Sequence, residues 1–306
     1  MRIAYFDPFS GASGDMVLGA LVDAGLSVDD LRGVLRGLDL DGYSIEAERV
    51  EQHGITGTRV TVEASEDQPA RDWHVIRDLL TRSELPESVR GASLAIFGAL
   101  AAAEALVHGA DIEHVHFHEV GGVDAIVDIV GAAAGLYLLG VEQVYSGPPA
   151  LGRGFARSQH GIIPVPAPAT AQLLASTGAP SRDAEIEAEL LTPTGAAILT
   201  TLAEFQRPEF TTSVVGYGFG RRELPWPNAL RVWLGDLQEG NASVQAGSTS
   251  TSEELLLEAN IDDMNPEFYE LLMERLFDAG ALDVFLTSIT MKRGRPATRV
   301  SVIASV

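Results

Sequence analysis

The chain predicts an α/β amino-terminal domain followed by a partial α+β domain of ferredoxin-like type. Three features of the sequence carry that expectation. Residues 2–7 read as a short strand, the Gly/Ser loop FSGASGDM follows, and an apolar-periodic helix then runs through Val17, Leu18, Ala20 and Leu21 to Gly25. Strand, loop and helix in that order open an α/β layer. Residues 239–254 (EGNASVQAGSTSTSEE) are small, polar and low in complexity, which is the composition of a linker between domains. Beyond them, a strand at 255–261, a helix opening at Asn265-Pro266 and strands at 284–290 and 298–304 make a β-α-β-β fragment, half of a ferredoxin-like unit. The expected organisation is therefore a domain over 1–238, a linker over 239–254 and a partial domain over 255–306.

The remaining elements follow in chain order. Residues 43–50 and 58–62 alternate around His53-Gly54 and predict a hairpin. Pro86 starts a helix reaching about His108, with Val89, Ala92, Ile96, Leu100 and Ala103 on one face. Residues 114–118 predict a strand, and a helix runs from about Val123 to Leu139. Residues 146–170 are rich in Gly and Pro and predict a large structured loop, a type that is usually functional. A helix follows from about Ala169, and either Thr192 or Thr194 caps another in LLTPTGAAILTTL. Residues 211–235 read as β-rich, punctuated by Gly216, Gly218 and Gly220. In the last domain the helix is expected to turn Phe268, Leu271, Leu272 and Leu276 inward and to end at Gly280.

Composition narrows the function classes. The 306 residues are 46% hydrophobic and 21% charged, a globular balance. A formal net charge of -22 argues against nucleic acid and against an anionic membrane as partners, and favours cations. Cysteine is absent, so a metal must be held by imidazole, carboxylate, backbone or a sulfur that another molecule brings. MRIAYFD reads as a strand rather than a signal peptide. The most apolar stretches, 91–108 and 125–141, contain Glu104 and Asp128 and read as buried helices rather than membrane spans, so a cytoplasmic location is expected.

The run HVHFHEVGGVDAIVDIVGAAAG holds three of the seven histidines at alternate positions. In a strand, His114, His116 and His118 share one face, while Val115 and Phe117 point into the core. Glu119 falls on the opposite face unless the chain turns at Val120-Gly121-Gly122. Asp124 and Asp128 then share a face of the following helix. The helix dipole alone accounts for Asp124 in the first turn. Asp128 lies among Ile126, Val127, Ile129 and Val130 and needs a cation as partner. An imidazole row beside carboxylates is the donor set of a divalent metal site.

Three further groups stand out. Asp7 and Asp15 flank the Gly/Ser loop, which either surrounds a phosphate or metal or merely caps the helix through Ser13 or Ser10. Arg153, Arg157 and His160 form either a local cationic pocket or the rim of an exposed loop. Lys292, Arg293 and Arg295 in MKRGRP suit either a soluble hairpin turn or a triphosphate, with Asp262 and Asp263 available for its magnesium or manganese.

Together, YFDPFSGASGDMVLGALVDAG, HVHFHEVGGVDAIVDIVGAA, HGIIPVPAPAT, LLTPTGAAIL, ANIDDMNPE and GALDVFLTSITMKRGRP resemble the nickel-insertion family that matures the nickel-pincer cofactor of lactate racemase, the LarC-type cyclometallases. The resemblance implies insertion of Ni2+ into pyridinium-3,5-bisthiocarboxylic acid mononucleotide, driven by CTP with Mn2+ or Mg2+, for a recipient racemase-like apoenzyme. It places nickel on His116, His118 and Glu119, and the nucleotide on Lys292, Arg293, Arg295, Asp262 and Asp263. The residues' own positions add His114 and Asp128 to the metal set. With that chemistry, Glu119 or Asp124 would accept the proton lost from the pyridinium ring, and Asp7, Ser13, Asp15, Arg153, Arg157 and His160 would hold the substrate. Position 8 is Pro where the family often has Cys, so no thiol acts there. Family members usually continue past the equivalent of Val306, which makes the last domain a partial one, and its open sheet edges favour a homo-oligomer. A thiol-free site suits a metal that must be handed on, because the substrate's sulfurs then compete well. Two rivals are a nickel chaperone without turnover and a metal-dependent hydrolase.

Overall fold

The structure is a computed structural model describing residues 1–65, 71–115, 117, 121–158, 161–237, 254–292 and 295–305, with backbone alone at His114, Glu254 and Ser305. The chain divides into two compact units, Met1–Gly240 and Asn241–Val306. The expected linker at 239–254 lies outside the described residues except for the backbone of Glu254.

The first unit is built on a mixed sheet. Its strands are β1 (Arg2–Asp7), β2 (Tyr43–Gln52), β3 (Ile55–Ala64), β4 (Gln143–Ser146), β9 (Ala203–Glu204), β10 (Phe210–Phe219) and β11 (Ala229–Leu237), in the order β2-β3-β10-β11-β1-β4-β9. The pairs β3/β10, β1/β4 and β4/β9 are parallel and the others antiparallel. Two small ribbons pair β5 (Ala150–Leu151) with β8 (Arg182–Asp183) and β6 (Phe155–Ser158) with β7 (Gly161–Pro164). The expected large loop thus contains a short hairpin.

Alternation in β1 divides the two sheet faces. Ala4 and Phe6 join Val232, Leu234 and the helices in the main core, while Ile3 and Tyr5 join Tyr145 and Trp233 on the other side. The helices are α1 (Gly14–Asp23), α2 (Val28–Leu35), α3 (Trp73–Arg82), α4 (Glu87–His108), α5 (Val123–Leu138), α6 (Pro168–Thr177) and α7 (Pro193–Leu202). Each of these contributes buried side chains to that core or packs against it through them. Helix α4 is long and apolar enough for a membrane span by length and composition. Val89, Ile96, Phe97 and Leu100 are nevertheless buried in the core, and the helix stops at Gly109 in the left-handed region (φ 61°).

The histidine strand is not formed as expected. Ile112–His114 is a single 3-10 turn, and the following described residues, Val115 and Phe117, belong to no strand. Val115 lies beside the start of α3, where the Trp73 N–H donates to its carbonyl at 3.4 Å. The apolar alternation of Val115 and Phe117 answers to packing against helices. Val115 and Phe117 are buried, with Phe117 against Phe97 at 6.2 Å between ring centroids.

In the second unit, β12 (Glu254–Ile261), α8 (Phe268–Asp278), β13 (Ala281–Met291) and β14 (Arg295–Ser305) form a sheet of order β12-β14-β13. Both pairings are antiparallel, so β12 and β13 run parallel with β14 between them. The helix starts later than Pro266. Asn265 instead makes a turn, accepting from the Glu267 N–H at Oδ1 (3.2 Å) and from the Phe268 N–H at its carbonyl (2.9 Å). The stripe that packs is half-buried: Tyr269, Leu272, Met273 and Leu276, spaced i, i+3, i+4 and i+7, lie against Val284, Val300 and Val302. Phe268 and Leu271, expected inside, are consequently exposed.

Candidate functional site

Three helix N-termini of the first unit meet at one cleft. Ser13, Gly14 and Asp15 come from the start of α1, Asp124 and Asp128 from α5, and Thr192 and Thr194 from α7; Glu189 and Arg221 complete a cavity of about 410 Å³. The loop after β1 sets this up. Gly11 takes a left-handed φ of 81°, and the Ala12 N–H donates to the Leu190 carbonyl while the Thr192 N–H donates to that of Ala12, both at 3.0 Å. These bonds fasten the start of α1 beside that of α7. Gly195 allows the approach, since a Cβ there would lie 2.2 Å from the Ala12 carbonyl oxygen.

The caps divide unequally. Thr192 caps α7, accepting from the Gly195 N–H at 3.2 Å. Ser13 occupies the cap position of α1 but makes no side-chain cap bond; its hydroxyl donates to Asp15 Oδ1, which also accepts from the Met16 N–H at 2.9 Å. Ser10 is buried and accepts from the Trp226 indole N–H at 3.0 Å, so it caps nothing.

Asp128 dominates the electrostatics. Burial pushes its carboxyl well above the ordinary carboxylate range, and Asp15 and Asp124 push the same way; Arg221 alone opposes them. Part of the side chain faces the cleft, yet Oδ1 is sealed and has no hydrogen-bond partner among the described residues. Gly14 makes room for it, because a Cβ there would lie 2.5 Å from Asp128 Oδ2. Such a carboxylate is satisfied by a proton or by a cation.

The other expected site residues are distributed as follows. His116, His118, Glu119, His160 and Arg293 lie outside the described residues, as does the side chain of His114. Glu119 is five residues before Asp124, at most roughly 17 Å of extended chain. Among the described residues, no three His, Asp or Glu side chains are grouped closely enough to hold a metal. Asp7 is not in the cleft with Asp15: it pairs with Arg231 through Nη2 and Nε, the latter at 3.2 Å. Arg153 and Arg157 are exposed and do not line the cleft. Arg153 donates to the Glu185 carbonyl at 3.4 Å, and Arg157 sits on β6, paired with β7. The cation in the cleft is Arg221, which sequence reasoning missed together with Glu189. Arg221-Arg222 directly after the glycine-punctuated strand was the available signal. In the second unit Asp262 and Arg295 do meet, at 3.6 Å, while Asp263 and Lys292 are exposed.

Comparison with known proteins bears on the family of the chain. A family model described as nickel insertion protein matches residues 4–306. A relative from Thermomicrobium roseum is 58% identical over 99% of this chain and 73% of its own length. A protein of Desulfitobacterium hafniense named pyridinium-3,5-bisthiocarboxylic acid mononucleotide nickel insertion protein is 50% identical over 99% of this chain and 75% of its own. A solved structure of LarC2, the C-terminal domain of a cyclometallase involved in the synthesis of the NPN cofactor of lactate racemase, shares 47% identity over 17% of this chain and 37% of that chain, with a TM-score of 0.17. The full-length family match and relatives at half identity or more place this chain in the nickel insertion protein family.

Proposed function

We propose that the chain inserts nickel into pyridinium-3,5-bisthiocarboxylic acid mononucleotide, using the acidic cleft and the HFHE segment that leads into it. The observation that carries this reading is the sealed Asp128 oxygen, without a partner among the described residues, at the junction of three helix starts, twelve residues downstream of His116 and ten of His118. Neutral imidazoles present the nickel, and the substrate's two sulfurs take it over. Forming the nickel–carbon bond requires the ring carbon to lose its proton. Asp128 is the better acceptor for that proton than Asp124, because burial and the neighbouring carboxylates raise its basicity. Helix N-terminal N–H groups around the cleft favour the substrate's anionic groups.

CTP with magnesium or manganese serves as co-substrate in this reading. The second unit carries donors that fit a triphosphate and its metal: Asp262 and Arg295 at neighbouring strand ends, with Lys292 exposed on the turn. When bound, the nucleotide supplies the driving force of hydrolysis. The product passes to a racemase-like apoenzyme.

Nickel transfer to the authentic mononucleotide, followed by its change in absorbance, tests the assignment. The His116→Ala/His118→Ala double variant and Asp128→Asn should each lose about a hundredfold or more in rate, with unchanged circular dichroism. Wild-type rates in the double variant would remove imidazole from the pathway. Nickel affinity should also fall below about pH 6, as the imidazoles protonate.

A further inference from the structure

A second cavity, of about 530 Å³, opens in the same unit and is used by none of the steps above. Its walls are Phe9, Tyr217 and Trp226, with Arg182 and Arg231 among them. We propose that this cavity is where the pyridinium mononucleotide first docks, before it meets nickel at the acidic cleft, with the ring stacked on the aromatic walls and an anionic group paired with Arg182. The inference rests on the substrate class proposed above and adds the residues that would recognise it.

The walls are fixed before any ligand arrives. Trp226 is held by its N–H to Ser10 (3.0 Å), and Arg231 by Asp7. The Arg231 guanidinium lies 5.9 Å from the Phe9 ring centroid, 6.0 Å from that of Tyr217 and 4.8 Å from that of Trp233. Arg231 is therefore neutralised and shapes the floor. Arg182 differs: it is exposed, and among the described residues its side chain donates to the Phe9 carbonyl alone (2.7 Å) and pairs with no carboxylate. An arginine with one of its five N–H groups engaged is suited to grip phosphate or carboxylate. Aromatic faces attract a cationic pyridinium ring more strongly than a neutral base. In a chain of net charge -22, a cationic, aromatic cavity is the place where an anionic mononucleotide meets least repulsion.

The two cavities draw their lining residues from the same stretches of chain. Phe9 lines this one and Ser13 the acidic cleft, at most roughly 14 Å of chain apart. Ala184 and Glu189, and likewise Trp226 and Arg221, divide between them in the same way.

Nicotinic acid mononucleotide, a pyridinium mononucleotide with a ring carboxylate, is the probe. Titrated into the full chain, it should quench tryptophan fluorescence and saturate, and calorimetry should report binding weakened about tenfold or more in Arg182→Ala and in Trp226→Leu. Arg82→Ala, which removes an exposed arginine lining neither cavity, should bind the probe as wild type does. Arg182→Ala should also raise KM for the authentic mononucleotide in nickel transfer while leaving kcat close to wild type. Wild-type probe affinity in both pocket variants, or no saturation at millimolar probe, overturns the proposal. So does an Arg182→Ala KM equal to wild type. If wild type fails to transfer nickel while the probe binds through Arg182, the functional reading falls and the pocket stands.

Discussion

Asp128 holds a proton more tightly in the folded chain than a carboxyl in water does, for reasons of burial first and neighbouring acids second. The sign for stability follows from linkage. Between the ordinary carboxylate pKa and its raised folded value, the folded state binds more protons than the unfolded state, so stability falls as pH rises through that window. Above it the full penalty of a buried charge is present. Asn has no charge to bury, so Asp128→Asn should raise the thermal midpoint at pH 7 and change it little at pH 4. Scanning calorimetry of both proteins at the two pH values checks this. An equal shift at both would mean that the carboxylate's charge is not what destabilises the site. Gly14 belongs to the same argument: Gly14→Ala places a methyl 2.5 Å from Asp128 Oδ2 and should impair nickel transfer more than its effect on helix propensity would suggest.

Helix α1 lies against β10 and β3 because glycine clears its path. A Cβ at Gly218 would lie 1.9 Å from the Met16 carbonyl oxygen, at Gly216 2.3 Å from that of Ala20, and at Gly19 2.6 Å from that of Thr58. The obstruction is backbone on the other side, which cannot rotate away. Gly218→Ala should therefore destabilise the first unit by roughly 3 kcal/mol, read as a lowered urea midpoint, and disturb the start of α1 where Ser13 and Asp15 sit. A near-neutral result would show that the helix can lift from the sheet. These glycines also mark how far the sequence is readable. Their spacing announces a strand with breaks, but only the fold reveals that they carry a helix. Strands, helices and the hairpin at His53-Gly54 follow from local periodicity and turn residues, and they form close to where expected. The histidine segment misled because apolar alternation satisfies a helix-packed extended segment as well as a ladder, and which of them applies depends on neighbours distant in sequence. Asp124 and Asp128 were legible from their spacing on one helix. Arg221, Glu189 and the aromatic cavity were not, since they come from separate loops that only the sheet order brings together.

At the scale of the molecule, charge sorts the reactants. A net charge of -22 raises the local concentration of a divalent cation and lowers that of a phosphate-bearing mononucleotide. Both effects act over distances that salt screens, with a Debye length of about 30 Å at 0.01 M and about 10 Å at 0.1 M. The two ligands should therefore respond to salt with opposite signs. Raising ionic strength between those limits should slow nickel association and speed mononucleotide association, while contacts inside each site leave the dissociation rates nearly unchanged. Stopped-flow measurement of each ligand at several salt concentrations reads both slopes. The acidic residues near the cleft, Asp15, Asp124, Asp128 and Glu189, steepen the nickel slope. Arg182 offsets the mononucleotide's repulsion locally, so Arg182→Ala should make its association both slower and more salt-sensitive. Slopes of the same sign for cation and anion would mean that the field of the whole chain does not reach the sites, and that local groups alone set the encounter.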